Sequence, residues 1–565
     1  MKRLIAKKIW LLMVAASVAG GLLQMSCGTG NLETDKETLA VIGERVIDKA
    51  DFMKRYEYFR TKTGQGVHDN LETRRQVLNN YVDEEILIAE AERRGFAQDE
   101  QGLFERERVE MQELLNAYYQ EKIASRVTVS DAELKRLYVR LNTRVKARHL
   151  YAPTKHQADS LYALLQNGSN FGELASLVFK DPRLRDSGGL LGYFTVDEME
   201  PAFEEAAYSL RIGEISKPVR TSDGYSIIRV EDRVTKPLLT ESEYARHKNK
   251  LAAYWKHRKI RQATAAHVDS LRKTLNIVFN QEVVRKLYAE FKKTQDKARF
   301  LEKGFSDLHS HELLRSRFGA WTVATFQQKA RFTSTTEHRW IHNQQQFEDF
   351  IAGLVIREYL LQRAREARLH ERPEYLQKVK ADLDGFLLER MEETLKGEMV
   401  IPEDSLRSYY NEDPKRFATP PEINLREIVL DDETKATLVA DKLEHGESFA
   451  ELAKKYSVRK WSAEKGGELG FLTPQYLGRW AQTAFLLKVG ERAGPLKMDS
   501  MIVFLQCIAK RSAKIRSFDT VRDEVERTVR YLAWADYRRS KIKEIRQSME
   551  LVKVFPQRLK EIKLK

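Results

Sequence analysis

The segment Asn170-Phe171-Gly172-Glu173-Leu174-Ala175 recurs 278 residues later as Ser448-Phe449-Ala450-Glu451-Leu452-Ala453, and no other feature constrains the fold as tightly. At the same offset Gly188-Gly189-Leu190-Leu191-Gly192-Tyr193 returns as Gly466-Gly467-Glu468-Leu469-Gly470-Phe471. One deletion later Ala207-Tyr208-Ser209-Leu210 returns as Ala484-Phe485-Leu486-Leu487. Two copies of one domain are therefore expected. The stretches ahead of them also correspond. Leu71 to Arg94 places Val77, Leu78, Tyr81, Val82, Ile86 and Ala89 at helical spacing, and Phe350 to Leu369 does the same with Leu354, Ile356, Leu360, Leu361 and Ala364. Each then leads through a charged helix to a capping signature, Ser130-Asp131-Ala132-Glu133 or Pro402-Glu403-Asp404-Ser405. The repeating unit is a helical module followed by a compact α/β domain.

With 565 residues the chain exceeds what a single core supports, and three to five domains are expected. Hydrophobic residues at 42%, charged residues at 32% and only 13 Pro exclude a fibrous or disordered body. The formal charge of +14 raises the question of nucleic acid. Lys and Arg alternate with Glu and Asp along the helices, as at Glu92-Arg93-Arg94, which describes solvated faces rather than a nucleic-acid surface. Short apolar runs at Leu39 to Ile42 and Arg45 to Ile47, around Gly43, predict a hairpin; Ser517 to Lys565 predicts helix.

Lys2, Arg3, Lys7 and Lys8 precede an apolar run from Ile9 to Leu23 and then Ser26-Cys27-Gly28, the pattern of an export signal. Three fates are open: lipidation at Cys27, cleavage that frees a soluble chain, and retention as an anchor. The small residues around Cys27 favour the first, resembling a bacterial lipoprotein signal, while Gln24 departs from that pattern. Only Cys507 accompanies Cys27, so the chain does not rely on disulfides, and Cys507 within Ile502 to Ile508 is expected as a small buried hydrophobe.

In the first copy, Val145 to Tyr151 alternates as a strand, two helices follow, Gly188 to Gly192 supplies a tight turn, Glu198 to Leu210 is a third helix and Tyr225 to Val230 returns as a strand. On that frame Arg148-His149-Leu150, Lys180-Asp181-Pro182, Gly188-Gly189-Leu190-Leu191-Gly192, Glu198-Met199, Pro201-Ala202-Phe203 and Ser222-Asp223-Gly224-Tyr225 occur in order. Together they resemble a parvulin domain across its whole length. The resemblance implies peptidyl-prolyl cis/trans isomerisation. In that reading His149, Asp181 and Ser226 form the catalytic set, with Leu191, Met199, Phe203 and Asp223 gripping the proline. Read without the resemblance, His149 is an ordinary core histidine and the apolar residues ordinary core. Ser226 stands where the family commonly carries a second histidine, so the polar network is reduced.

In the second copy Glu427 takes the place of His149, Arg459 of Asp181, Tyr476 of Met199, Trp480 of Phe203 and Val503 of Ser226. This copy is expected to keep the scaffold without the chemistry. Tyr476 and Trp480 suit either peptide binding through aromatic surface or plain structural spacing. No phosphate-binding glycine loop, His-Glu-x-x-His or paired-cysteine spacing is present. His309, His311, His338 and His342 match no standard zinc pattern.

The chain as a whole resembles the exported SurA-like and PrsA-like foldases. That implies an α+β multidomain fold: export signal (1–27), N-terminal helical chaperone module (28–143), parvulin domain (144–236), helical middle module (237–420), degenerate second parvulin domain (421–512) and C-terminal helical segment (513–565). It also implies unfolded exported polypeptides with X-Pro bonds as partners, no cofactor, and a place in the bacterial envelope facing the periplasm. A lipid tether to the outer membrane stands against an inner-membrane anchor or a soluble form. The alternative function is a non-catalytic holdase or scaffold in which both domains only bind.

Overall fold

The structure, a computed structural model, describes residues 36–63, 69–221, 224–236, 240–294, 301, 306–333 and 338–562. The chain begins β1 (Thr38–Ile42), β2 (Arg45–Asp48), α1 (Lys49–Thr63), α2 (Leu71–Arg93), α3 (Glu100–Lys122), α4 (Asp131–Leu141). The first small domain follows as β3 (Thr143–Ala152), α5 (Lys155–Gln166), α6 (Phe171–Val178), α7 (Pro182–Asp186), β4 (Leu190–Phe194), α8 (Pro201–Ser209), β5 (Val219–Arg220), β6 (Tyr225–Thr235). Next come α9 (Glu241–Leu275), β7 (Val278–Phe279), α10 (Gln281–Lys293), β8 (Glu312–Ser316), β9 (Gly319–Thr322), α11 (Val323–Ala330), α12 (Gln344–Glu366), α13 (Pro373–Glu398) and α14 (Glu403–Glu412). The second small domain is β10 (Glu422–Leu430), α15 (Glu433–Glu444), α16 (Phe449–Tyr456), α17 (Lys460–Ala463), β11 (Glu468–Leu472), α18 (Pro474–Leu477), α19 (Ala481–Leu486), β12 (Arg492–Met498), β13 (Met501–Arg511). The chain closes with α20 (Phe518–Ser548) and β14 (Val552–Val554). Helical modules with short three-stranded sheets and two small domains, each with a four-stranded antiparallel sheet, make this the α+β multidomain fold that the sequence implies.

Two compact units form. One joins the chain up to Asp99 to the chain from Asp384 onward; the other is Glu100–Leu383. In the first unit β14 and β2 flank β1, with Ala40 opposite both Val554 and Ile47. Its core gathers Leu39, Ile47 and Phe52 with Leu78, Val82 and Ile86 of α2, and with Leu387, Met391 and Leu395 from the last part of α13. Asn70 caps α2 by accepting from the Thr73 amide at 2.8 Å, and the apolar spacing then turns one face inward. The end of the chain completes this core: Leu559 is fully buried, and buried Arg74 donates to the carbonyls of Leu559 and Ile562 at 2.9 Å each.

The second unit repeats the plan. Strands β7, β8 and β9 form a three-stranded sheet here, buried Phe326 stands where Phe52 stands, and Asn343 caps α12, which has 23 residues like α2. The sequence predicts a helical middle module and a helical C-terminal segment; the structure adds the short strands β7–β9 and β14 to them, a correction to that reading. These strands are two to five residues long, and β7 and β14 become strands only through partners distant in sequence.

Both small domains have one topology, β4-β3-β6-β5 and β11-β10-β13-β12, all antiparallel. Three local expectations shift. The tight turn is confined to Gly188-Gly189, because Leu190 to Gly192 already pair with β3. The third helix starts at Pro201, whose fixed φ suits a first helical position. At α14 Pro402 precedes the helix without a side-chain cap, whereas Ser130 and Glu133 form the full capping box at α4. Leu559→Ala is expected to destabilise the first unit by about 3 kcal/mol and to lower amide-exchange protection along Leu39–Ile42; urea unfolding with hydrogen exchange checks both.

Candidate active site

His149 lies on β3, between β4 and β6, just past a register shift at Ala147/Arg148. Its amide donates to the Gly189 carbonyl at 2.9 Å. Gly189 has φ +77°, and a Cβ there would fall 2.2 Å from the His149 carbonyl oxygen, so only glycine permits this approach. The neighbouring Arg148 steadies the turn by donating to the Gly188 carbonyl at 3.1 Å while pairing with Glu231 at 2.8 Å.

Strand alternation places His149 on the same face as Val145, Ala147 and Tyr151. Ile228 and Ser226 of β6 sit opposite His149 and Tyr151. The imidazole packs 5.0 Å from the Phe179 ring and 5.8 Å, edge-on, from the Phe203 ring of α8. Phe203 in turn meets Phe194 edge-on at 6.0 Å, and half-buried Leu191 and Met199 pack on the same cluster. His149 thus lies against Phe203, and Leu191 and Met199 pack on the cluster to which Phe203 belongs. Both ring nitrogens of His149 are buried without a hydrogen-bond partner, so the buried Ser226 hydroxyl, though on the same face, is not bonded to the ring. Burial alone pushes the imidazole pKa down to about 4, leaving it neutral at pH 7.

Asp181 occupies a different setting. It caps α7, accepting from the Arg183 amide at 2.9 Å and from the Arg183 guanidinium at 3.2 Å, bonds that hold its carboxyl below the usual range. Asp223 lies outside the described residues. Phe179 was missed by the sequence reading: an aromatic residue after a short helix carries no signal that separates it from core.

The second copy repeats the backbone device, with the Glu427 amide donating to the Gly467 carbonyl at 2.8 Å and Gly467 at φ +84°. Its side-chain solution is the opposite. Glu427 is buried and accepts from the Arg459 guanidinium and the Ser462 hydroxyl, each at 2.7 Å. The two polar positions are therefore filled by an ion pair. Glu427 and Arg459, at the positions of His149 and Asp181, thus pair with each other, whereas the side-chain contact of Asp181 is with Arg183. Tyr476 is exposed, and Trp480 is half-buried beneath Arg479 at 5.2 Å.

Two stability effects follow from these environments. The depressed folded pKa of His149 means its contribution is present above pH 6.5 and is lost as pH falls through about 4. Between pH 7 and pH 4.5, His149→Leu should lose about 2 kcal/mol less than the unmodified chain in urea titrations of the unit that holds it. Arg459→Ala, which strands buried Glu427, should destabilise the second domain by roughly 3 kcal/mol, read from its urea midpoint, and Arg459→Ala combined with Glu427→Gln should recover most of that loss.

Comparison with known proteins bears on the family. Residues 120–234 and 401–523 each match the PPIC-type PPIase domain, and residues 1–113 match the SurA-like N-terminal domain. The foldase protein PrsA of Oceanobacillus iheyensis is 32% identical over 229 residues, covering 39% of this chain and 74% of that protein. PrsA of Caldanaerobacter subterraneus is 29% identical over 266 residues, covering 42% of this chain and 85% of that protein. A crystal structure of the PrsA peptidylprolyl isomerase from Bacillus anthracis shares 24% identity over 38% of this chain and 82% of that one, with a TM-score of 0.19. The chain belongs to the PPIC-type peptidyl-prolyl isomerases, as a PrsA- and SurA-like foldase with two such domains.

Proposed function

We propose that the first domain carries the isomerase activity, that the second has exchanged catalysis for an internally paired scaffold, and that the helical modules hold non-native exported polypeptides. The contrast between the two cups carries this reading: one offers an unpaired neutral imidazole on an apolar floor, and the other is filled by Glu427 and Arg459.

Rotation about an X-Pro bond is opposed by amide resonance, a barrier of about 20 kcal/mol. In the proposed mechanism Leu191, Met199 and Phe203 take the pyrrolidine ring. Removing the amide from water favours the twisted, less dipolar state. Asp181, kept ionised by Arg183 at the rim, faces the carbonyl oxygen and opposes the negative charge that resonance places there. His149, neutral and unpaired, offers its ring nitrogens to the bound peptide, and Ser226 keeps the adjoining wall polar. Asp223 is assigned to substrate contact. The chemistry calls for neither a metal nor a nucleotide.

The proposed setting is the bacterial envelope, with residues 1–27 as export signal, Cys27 as the lipidated residue and the outer membrane as its address. No described helix is long and apolar enough to cross a membrane. Clients are periplasmic, outer-membrane or secreted chains bearing X-Pro bonds, which otherwise relax over tens of seconds. A protease-free isomerisation assay on a tetrapeptide series tests the reading with the full chain. Asp181→Ala and Met199→Ala should each lower the catalysed rate about tenfold, ~1.4 kcal/mol of barrier. An unmodified chain without rate enhancement would instead make both domains binding modules of a holdase or scaffold.

A further inference from the structure

Met199 and Phe203 shape the cup, yet neither sits on the central strands. Met199 belongs to the loop between β4 and α8, and Phe203 to the short α8 itself. That loop passes through Asp197, a non-glycine residue at φ +69°, a conformation that persists only where the surroundings impose it. They do so from α9. Arg258, with 5% of its side chain exposed, pairs with Glu204 (2% exposed) at 2.8 Å and with Asp197 at 3.0 Å. Glu204, next to Phe203, also accepts the Asp197 amide at 2.8 Å, and the Tyr254 hydroxyl donates to the Asp197 carboxylate. Trp255, in cation-π contact with Arg258 at 5.5 Å, packs on the cluster that holds Leu191 and Met199.

A buried ion pair contributes little net stability compared with apolar packing of the same volume; what it supplies is geometry. The second copy separates the two roles. There Asp197, Glu204 and Arg258 are replaced by Pro474, Ala481 and Ala535, so all three charges of the clamp are absent along with the histidine and aspartate of the site. Tyr531 and Leu532, at the positions of Tyr254 and Trp255, are 81% and 58% exposed. The second domain folds to the same topology without this contact, so the clamp is not a requirement of the fold.

We propose that Arg258 is a positioning residue for prolyl isomerisation: acting from α9 through Glu204 and Asp197, it fixes the loop bearing Met199 and the helix bearing Phe203 in the shape that grips the proline. The proposal rests on the reading of the His149 cup as the isomerase site. Arg258→Met alone strands Glu204 and should lower stability, whereas Arg258→Met with Glu204→Gln removes both buried charges and should melt close to the unmodified chain. In that double variant of the full chain, kcat/KM is expected to fall about tenfold. The NMR titration midpoint of the His149 ring should also rise from about 4 toward the ordinary histidine value as the cup loosens and admits water. Tyr254→Phe, the loss of one hydroxyl, should move both readouts the same way by less. Unchanged kcat/KM together with an unchanged His149 midpoint in both variants would overturn the proposal. A chain inactive before any substitution would overturn the isomerase reading, and the His149 midpoint would still decide whether Arg258 shapes the cup.

Discussion

One backbone contact organises each small domain: the amide of the residue at the middle of the first strand donates to the carbonyl of the second glycine in the turn, His149 to Gly189 and Glu427 to Gly467. The approach is so close that a side chain on that glycine would collide with the strand's own carbonyl, in both copies. The register shift beside it and the direction of the residue at position 149 or 427 follow from this contact. So does the seating of the next strand, which carries Leu191 or Leu469. The glycines therefore survive wherever the scaffold does, whatever the scaffold is used for.

Given that constraint, the side chain at the central position must enter a largely apolar interior, and the two copies meet this in incompatible ways. A neutral imidazole between Phe179 and Phe203, with neither nitrogen bonded, costs on the order of 1–3 kcal/mol of unsatisfied polarity. Glu427 avoids that cost with two bonds from Arg459 and Ser462, but the arginine then occupies the space between the two positions. A satisfied site is a closed one. The first copy leaves both imidazole nitrogens without a partner, and the second leaves its buried carboxylate paired.

What the sequence made legible was local or repeated. The duplicated motifs, the glycine turn, the Ser130 capping box and the α2 periodicity each depend on residues close along the chain. The role of Asp181 as an N-cap is legible as well, since Asp181-Pro182 is a helix-start signature. Strands β7 and β14, the ion pair of Glu427 with Arg459 and the Arg258 clamp were not legible. Each is set by a partner dozens to hundreds of residues away, and nothing in the periodicity of either partner announces the other.

The repeat also explains why helical boundaries drawn along the sequence do not coincide with cores. The helix that follows α2 is α3, yet α3 buries Leu114 and Tyr118 against Leu361, Ala364 and Leu369 at and just after α12. The helix that follows α12 is α13, yet α13 supplies Leu387, Met391 and Leu395 to the core containing α2. Each copy lends its successor helix to the other. α2 and α12 have the same length and the same asparagine cap. The effect of the exchange is on assembly. The first 143 residues cannot complete their own core, since Leu78, Val82 and Ile86 of α2 await residues beyond Asp384, including the β14 strand and Leu559 at the far end of the chain. Non-local contacts of this kind slow folding and make it dependent on the whole chain.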